Sequence, residues 1–260
     1  MTDRTVEIGG ERGDGRAVSD LIGFILIFSL VASVVAVVSI AGLDSLQSAR
    51  DAEQTNNAEK AMDVLADNVA DIHDRGAPSR ATEVSLGDAQ MYMGDPVRVQ
   101  INDSDGTESF NESFDVRPIV YDGTDDTELV YSMGAVFRVQ ENGGVVTREW
   151  SPRLTSDRVA LQVVNTTSKG GGVQSIQGTT VLVRTNSQQR NVVVGDDNYG
   201  EEWTIRVDSP RANLWFRMLD SRDSTDCQLN ADENRMACEV TAKPGSLYVV
   251  ENRIVVNIQR

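Results

Sequence analysis

The pattern of apolar and polar residues begins with a long apolar block near the N-terminus. The block runs from Leu21 to Leu43 and carries no charge. As a helix, its length of about 34 Å would cross the roughly 30 Å apolar core of a bilayer. A secretory signal has a shorter apolar core, about 7–15 residues, and a small-residue cleavage site after it. Here Asp44 follows directly. The block therefore predicts a membrane-spanning helix.

A second helical pattern follows this block and continues to Gly76. Residues 44–57 are polar all round, which predicts an exposed helical neck. Apolar residues then recur at spacings of four and three, as one stripe on a helix does; they are Ala58, Met62, Leu65, Val69 and Ile72. We expect the stripe to pack on the domain that follows, and the alternative is a coiled coil between subunits. Gly76 and Pro78 should end the helix.

From residue 81 onward the pattern changes to period two, which is typical of β-strands. Candidate strands lie at residues 82–86, 96–101, 114–121, 128–140, 145–149, 158–165, 179–184, 191–194, 203–208, 212–219, 237–241 and 246–259. Glu141-Asn142-Gly143-Gly144 between apolar runs predicts a hairpin turn. We call residues 81–260 the head. The fold class is therefore predicted as α+β, with a long N-terminal helix and a mainly antiparallel, β-sandwich-like head of two packed sheets.

Composition adds an unusual charge balance. The 260-residue chain has a net charge of −16, and Lys60, Lys169 and Lys243 are its only lysines among 24 basic residues. Abundant carboxylates with few lysines are typical of proteins that stay soluble in concentrated salt, which indicates a halophilic source. Nucleic acid is excluded as a partner, because binding to phosphates depends on clustered Lys and Arg.

The residues that carry common enzyme chemistry are scarce. His73 is the only histidine, and the sequence contains no motif of a nucleophile–base system, a P-loop or a dinucleotide site. We predict no enzyme, no cofactor and no metal. Cys227 and Cys238 flank a polar segment between two apolar runs, as at a hairpin tip, and an external location would let them form a disulfide. His73 is interpreted as a surface residue near the helix C-terminus.

The predicted loops contain candidates for two further kinds of site. Asp103-Ser104-Asp105-Gly106 with Glu112 is the best calcium candidate, but Ile101 stands where an EF-hand loop needs a carboxylate. The acidic segment 195–202 is a second weak candidate. Three N-glycosylation acceptor patterns are present, at Asn102, Asn111 and Asn165, the last in a predicted loop.

Flanking cations indicate the orientation of the spanning helix. Arg4, Arg12 and Arg16 precede the block, whereas Arg50 is the one nearby cation after it. The positive-inside rule then predicts a cytoplasmic N-terminus and an extracellular head.

The residues just before the apolar block resemble a known processing site. Arg16-Ala17-Val18-Ser19 is similar to the site in class III signal peptides of archaeal type IV pilin and archaellin precursors. That site has a basic residue, Gly or Ala, the cut, and then an apolar and a small residue. The segment from Leu21 to Leu26 also resembles the start of the apolar helix in haloarchaeal pilins. The resemblance implies that prepilin peptidase cuts between Ala17 and Val18 and that the helix stays on the mature protein.

The same resemblance implies a role for the retained helix as an anchor and then as the core of a filament. Close packing with other pilin-like subunits would use small residues, Gly23, Ala32, Ser33 and Ala36. Two positions depart from the family pattern: Asp20 stands where haloarchaeal pilins commonly have Pro or Gly, and Ile22 where bacterial pilins have Glu. Asp20 either neutralises the new α-amine of Val18 or lies at the headgroup level, where a charge costs little.

These observations predict four segments: a cytoplasmic leader at 1–17, a membrane and assembly helix at 18–43, a neck at 44–76 and an extracellular head at 81–260. The expected function is a pilin-like membrane protein of the cell surface, a structural or adhesive subunit of a type IV pilus-like filament. The large head favours an accessory subunit over the bulk of the shaft. The alternative is a single-span surface receptor or binding protein that forms no filament.

Overall fold

The computed structural model describes residues 14–103, 111–124, 126–155, 158–170, 175–178, 180–194, 202–222, 225–241 and 247–260. At residues 14–19, 103, 158, 194, 241 and 247 it describes the backbone alone. The elements follow in chain order: α1 (Asp14–Arg75), β1 (Ser79–Ser85), β2 (Gln90–Met93), β3 (Val97–Asp103), β4 (Asn111–Val116), β5 (Ile119–Asp122), β6 (Glu128–Ser132), β7 (Ala135–Gln140), β8 (Gly143–Arg148), β9 (Arg153–Thr155), β10 (Arg158–Ser168), β11 (Ser175–Gln177), β12 (Thr180–Val194), β13 (Glu202–Asp208), α2 (Ala212–Asp220), β14 (Thr225–Asn230), β15 (Arg235–Thr241) and β16 (Leu247–Gln259).

The chain divides into two compact units, residues 1–50 and 51–260. The first unit contains the N-terminal part of α1. Its most apolar 18-residue window has a mean hydropathy of 3.0 and none of it is buried. By length and composition, this helix is able to cross a membrane.

The second unit contains the rest of α1 and the β-rich head, and the apolar stripe of the helix is part of its core. All five residues of the stripe are at most 4% exposed. The prediction that the stripe packs on the following domain is confirmed, so it is not free to form a coiled coil with another subunit. The helix ends at Arg75, as expected from Gly76, which adopts a left-handed conformation with φ of 72°.

The strands of the head form three sheets, and almost all neighbouring strands are antiparallel. The sheet orders are β1-β12-β16-β10-β9, β11-β2-β5-β6-β7-β8 and β14-β15-β13-β3-β4. Among the described strand pairs, the pair of β10 and β16 is the one that is parallel. The prediction of a mainly antiparallel β-rich head after a long helix is confirmed, with three sheets where two were expected.

Aromatic side chains form the centre of the core beside the second sheet. The Phe137 and Trp215 rings meet edge to face with centroids 5.2 Å apart, and the Trp150 and Trp215 rings do so at 6.2 Å. All three side chains are at most 4% exposed. Trp215 lies on α2, so this short helix is held against the sheet by aromatic packing.

That helix corrects one predicted strand. Residues 212–219 were expected to be a strand, but they form α2, whose buried residues are Ala212, Leu214, Trp215, Met218 and Leu219. These positions follow a helical spacing rather than alternation. Ser209 and Pro210 just before the helix are a start signal that the period-two reading overlooked.

Among the other differences from the sequence prediction, three concern how the predicted strands are divided. Residues 114–121 are two strands in different sheets, β4 and β5, separated by Arg117 and Pro118. Residues 128–140 are the hairpin β6–β7, with Met133 and Gly134 at left-handed φ values in its turn. The two predicted strands at 179–184 and 191–194 are joined in the single strand β12, Thr180–Val194, and residue 179 lies outside the described residues. The predicted turn at Glu141 is confirmed between β7 and β8.

Candidate functional site

The apolar surface of α1 is the largest unpartnered apolar feature of the described residues. Between Leu21 and Leu43 every large apolar side chain is exposed, from 51% at Ile25 to 67% at Leu43. A soluble protein rarely exposes so large a continuous apolar surface, whereas a bilayer or a bundle of helices covers it.

A polar group within this surface is satisfied inside the helix, because the Ser33 hydroxyl donates a hydrogen bond to the Ser29 carbonyl at 2.7 Å. Just after the apolar run, the Ser45 hydroxyl donates one to the Ala41 carbonyl at 2.9 Å. Backbone groups are bonded along the continuous helix. Since lipid supplies no hydrogen bonds, this internal satisfaction is what a spanning helix needs.

The small residues of the helix fall on two faces. At about 100° per residue, Ser29, Ala32, Ser33 and Ala36 lie within an arc of about 100°. Gly23 is nine residues before Ala32, so it lies about 180° away from it. Gly23 therefore does not share the face of Ala32, Ser33 and Ala36, whereas Ser29, which sequence reasoning missed, does. The use of these small residues in helix packing stays a prediction.

The processing residues lie in the first turns of α1. Arg16, Ala17 and Val18 are helical in the backbone, and their side chains are outside the described set. Asp20 is exposed. The cut between Ala17 and Val18 and the role of Asp20 stay predictions.

The C-terminal part of α1 is joined to the head by ion pairs as well as by its apolar stripe. Glu59 lies 3.7 Å from Arg138, Asp67 lies 2.7 Å from Arg148, and Asp71 lies 3.1 Å from Arg80. In each pair the helix supplies the carboxylate and a strand of the β-rich part supplies the arginine. Since the pairs are partly exposed, each contributes modestly to stability.

The neck prediction needs one correction at its end. Residues 44–57 were expected to be exposed, but Thr55 is 3% exposed and Gln54 is half-buried. The Gln54 side-chain nitrogen donates to the Leu86 carbonyl and to the Tyr121 hydroxyl. Contact with the head therefore begins one turn before the apolar stripe.

The two cysteines form a disulfide across a hairpin. Cys227 on β14 is directly opposite Cys238 on β15, and their sulfurs are bonded. The prediction of a disulfide beside a hairpin tip is confirmed. Cys238 is fully buried and Cys227 is 9% exposed, so solvent has little access to the bond.

The predicted glycosylation sites differ in their accessibility. Asn165 lies within β10 rather than in a loop, is 7% exposed, and donates a hydrogen bond from its side-chain nitrogen to Glu251 at 2.7 Å. The predicted loop location of Asn165 is therefore wrong, and burial of the nitrogen disfavours a glycan on the folded protein, while its glycosylation stays a prediction. Asn111 is exposed at the start of β4, opposite the half-buried Asn102 of β3. Glycosylation of these two asparagines stays a prediction.

The calcium candidates lie largely outside the described residues, which exclude 104–110 and 195–201. Among the residues that the structure describes, no group of three or more His, Cys, Asp or Glu is placed to hold a metal ion.

A cleft between α1 and the head is a feature that sequence reasoning missed. It has a volume of about 700 Å³, and we call it the α1 cleft. Its walls are one face of α1 from Ala66 to Asp74, the Met133–Gly134 turn, the segment from Arg148 to Arg153, and the β10 residues from Ala160 to Val164. His73, which was interpreted as a surface residue, lines this cleft with a side chain that is 13% exposed.

Comparison with known proteins identifies a family whose function is unknown. The model of a family of unknown function, DUF7289, matches residues 16–257 and so includes both the apolar helix and the head. No curated protein and no solved structure matches the chain.

Proposed function

The chain belongs to the DUF7289 family of unknown function, and we propose that it is a pilin-like membrane protein of the cell surface. In this proposal α1 is the anchor and assembly helix, and the head is extracellular. The protein acts as a structural or adhesive accessory subunit of a type IV pilus-like filament.

The observation that carries the proposal is the exposed apolar surface from Leu21 to Leu43 on a helix that continues to Arg75. A cleaved secretory signal would leave with its apolar core, whereas this run is part of the same helix as the buried stripe. Removal of the apolar run would cut α1 in its middle. The continuous helix is therefore explained more simply if the apolar run stays on the mature chain than if it is cleaved off as a signal.

The class III processing motif at Arg16, Ala17 and Val18 supports the same proposal. A cut there would remove the cytoplasmic leader and leave the whole apolar run on the mature chain. During assembly, lipid contacts would be exchanged for helix–helix packing, which gains no hydrophobic free energy and depends on close backbone approach. The face of Ser29, Ala32, Ser33 and Ala36 offers that approach.

Co-expression with a haloarchaeal prepilin peptidase in a host that lacks one tests the proposal. The expected result is a shortened product that appears only with active peptidase and that stays in the membrane fraction. Arg16→Ala should leave the precursor uncut, and Arg12→Ala is the matched control, since it removes a neighbouring cation outside the motif. Cleavage that is independent of the peptidase, or a product released from the membrane, would contradict the proposal.

The second candidate is a single-span surface receptor or binding protein that forms no filament. Asp20 favours it, because an exposed carboxylate at the top of the helix replaces the Pro or Gly that haloarchaeal pilins commonly have there. The two candidates share topology and processing, and they differ in self-assembly. Recovery of the mature protein in sheared extracellular filaments would exclude the receptor.

A further inference from the structure

The strands of the first sheet carry very few carboxylates in a strongly acidic protein. Strands β1, β9, β10, β12 and β16 contain two, Glu83 and Glu251, although the whole chain has 40 acidic residues. Glu251 is 5% exposed and accepts hydrogen bonds from Asn165 and Arg253. Exposed carboxylates keep an acidic protein soluble and apart from its neighbours. A surface that lacks them is therefore the part of this protein that is least protected from association.

The two faces of this sheet have different surroundings. α1 covers one face, because Asn68 donates a hydrogen bond to the Thr82 hydroxyl at 2.8 Å and Asp71 forms an ion pair with Arg80 at 3.1 Å. Alternate residues of a strand lie on opposite faces, so the residues between these contacts lie on the side away from α1. We call that side the outer face. It includes Ala81, Glu83, Leu182, Arg184, Val255 and Asn257, all exposed or half-buried.

The composition of the outer face is that of a protein interface. Leu182 and Val255 are half-buried apolar residues, and Arg184 is exposed between them. The centres of protein interfaces are enriched in arginine and depleted of lysine, aspartate and glutamate. Among the described residues, none forms an ion pair with Arg184. Its guanidinium can therefore pair with a carboxylate of a partner.

A row of carboxylates on α1 has the complementary charge. Asp63, Asp67 and Asp74 are exposed, and at about 100° per residue they lie within an arc of about 40°. We call them the α1 ridge. Its centre is about 160° around the helix from the buried apolar stripe, so the ridge faces away from the core. Asp67 stays 70% exposed in its ion pair with Arg148.

The ridge and the outer face also match in length. At about 1.5 Å per residue, Asp63 and Asp74 are about 16 Å apart along the helix. On the outer face, Arg184 is in register with Asn257, and Arg253 lies four residues before Asn257 on the same strand. At about 3.3 Å per residue the backbones of the two arginines are about 14 Å apart.

Concentrated salt favours a contact of this kind over long-range attraction. At about 1 M salt the screening length is about 3 Å, so charges attract only in direct contact. Arginine holds a carboxylate in direct contact through two parallel hydrogen bonds, which a lysine does not do. Copies of this chain that are anchored in one membrane are also concentrated beside one another. A second copy therefore supplies the complementary carboxylates at high local concentration.

From these observations we propose that the outer face of one chain binds the α1 ridge of a second copy. The two surfaces lie on different sides of the second unit, so the contact is heterologous and can repeat from copy to copy. The inference rests on the proposed function, because it identifies a contact that joins neighbouring subunits outside the membrane. If the leader is cleaved as expected and this contact is absent, the inference fails and the proposed function stands.

Site-specific photo-cross-linking of the full-length protein in lipid vesicles tests the proposal. The vesicles contain equal amounts of unlabelled and isotope-labelled chains in about 1 M salt. The photoreactive residue p-benzoylphenylalanine replaces Ala81 on the outer face or, as the control, Ser113, an exposed residue of β4 in the third sheet. The expected product joins position 81 to the tryptic peptide 61–75, which contains the α1 ridge, and pairs a labelled chain with an unlabelled one.

The other outcomes of this experiment would overturn the proposal. They are a product from position 81 with a different peptide, a product within a single chain, no product from position 81, and an equal yield of the same product from position 113.

Charge variants identify the groups that make the contact. Arg184→Glu should lower the yield of cross-linked dimer from position 81 about fivefold, because it removes an ion pair and places a carboxylate against the ridge. Arg190→Glu is the matched control and should leave the yield unchanged. Arg190 is an exposed arginine of the same strand, but it is in register with Asn252, which alternates with Arg253 and so lies on the other face.

A compensating change tests the partner surface. Addition of Asp63→Arg to Arg184→Glu exchanges the two charges and should restore the yield of cross-linked dimer. Equal losses in Arg184→Glu and Arg190→Glu, or no recovery in the double variant, would overturn the proposed pairing of the outer face with the α1 ridge.

Discussion

The side-chain nitrogen of Gln54 lies 3.2 Å from the phenolic oxygen of Tyr121 and also contacts the Leu86 carbonyl. One amide of α1 thereby contacts strand β5 of the second sheet and the loop after β1. Gly87, next in the chain, has a φ of 55°, and a Cβ at this position would come within 2.6 Å of the Gln54 amide. The glycine lets the loop approach the helix at this point.

Loss of the Tyr121 hydroxyl should weaken this junction. Tyr121→Phe keeps the buried ring and removes the bond with Gln54, so it should lower the free energy of unfolding by about 1 kcal/mol. For a domain of this size the midpoint of thermal unfolding should fall by about 2–4 °C. Tyr248→Phe, at a tyrosine that is 40% exposed, is the control. Equal midpoints for the two variants would show that the bond does not support the junction.

The apolar stripe should contribute more than any polar contact of the helix. Leu65 is fully buried, and Leu65→Ala should lower the free energy of unfolding by about 2–5 kcal/mol because it removes buried methyl groups and leaves a cavity. Its neighbour Val64 is 51% exposed, so Val64→Ala should have an effect within about 0.5 kcal/mol. Chemical denaturation of the full-length protein gives both values. Similar losses for the two variants would mean that the stripe is not the packed face.

The sequence was informative where a pattern reports directly on local packing. The stripe from Ala58 to Ile72 has a spacing that only a helix with one buried face explains, and that face is buried. Glu141-Asn142-Gly143-Gly144 between apolar runs marks a turn because glycine tolerates the φ of 142° that Gly143 adopts there. The apolar helix that is long enough to cross a membrane was predictable for the same reason, since length and apolarity are local properties.

Other features depend on residues that are distant along the chain. The turn at Met133 and Gly134 carries no recognisable pair of turn residues, and tertiary packing keeps Met133 at a φ of 50°. Residues 212–219 carry a helical spacing, but the packing of Trp215 on Phe137 and Trp150 joins residues that are far apart in the sequence. The α1 cleft brings Ala70 and Gln162 together across about ninety positions. No local sequence pattern predicts that such distant residues line the same cleft.

The buried phenol of Tyr131 should make the protein less stable at high pH. Burial raises the pKa of Tyr131 above its ordinary value of about 10, since a phenolate is poorly solvated inside the protein. The folded state holds this proton more tightly than the unfolded state does. The resulting stabilisation is fully present below about pH 10 and is lost as the pH rises above it.

Tyr131→Phe should make the free energy of unfolding fall less steeply as the pH rises above about 10. Burial also raises the pKa of Tyr92, so part of the loss should remain in the variant. Unfolding free energies from pH 8 to pH 12, with Tyr248→Phe as control, provide the comparison. An equally steep loss in Tyr131→Phe would show that the phenol is not the source.

The disulfide provides an independent test of topology. An oxidising exterior allows Cys227 and Cys238 to pair, whereas a reducing cytoplasm keeps them as thiols. Because both are almost fully buried, a membrane-impermeant maleimide should label intact cells only after an impermeant reductant and mild denaturant. Labelling that needs cell lysis would place the head in the cytoplasm.

Loss of the disulfide should also destabilise the head. Replacement of both cysteines by serine opens a loop with a sequence separation of 11 residues. In the chain-entropy model this lowers the free energy of unfolding by about 3 kcal/mol. Denaturation of the double variant beside the parent measures the difference. An unchanged free energy would mean that the bond does not restrain the unfolded chain.

The N-terminus of the mature protein tests the central claim most directly. Intact-mass and peptide mass spectrometry of protein purified from its native membrane should identify Val18 as the first residue, with Leu21 to Leu43 still attached. That result would mean that the leader is removed and the spanning helix is kept. A first residue after Asp44 would mean that the apolar run is a discarded secretory signal, which would contradict the pilin-like account.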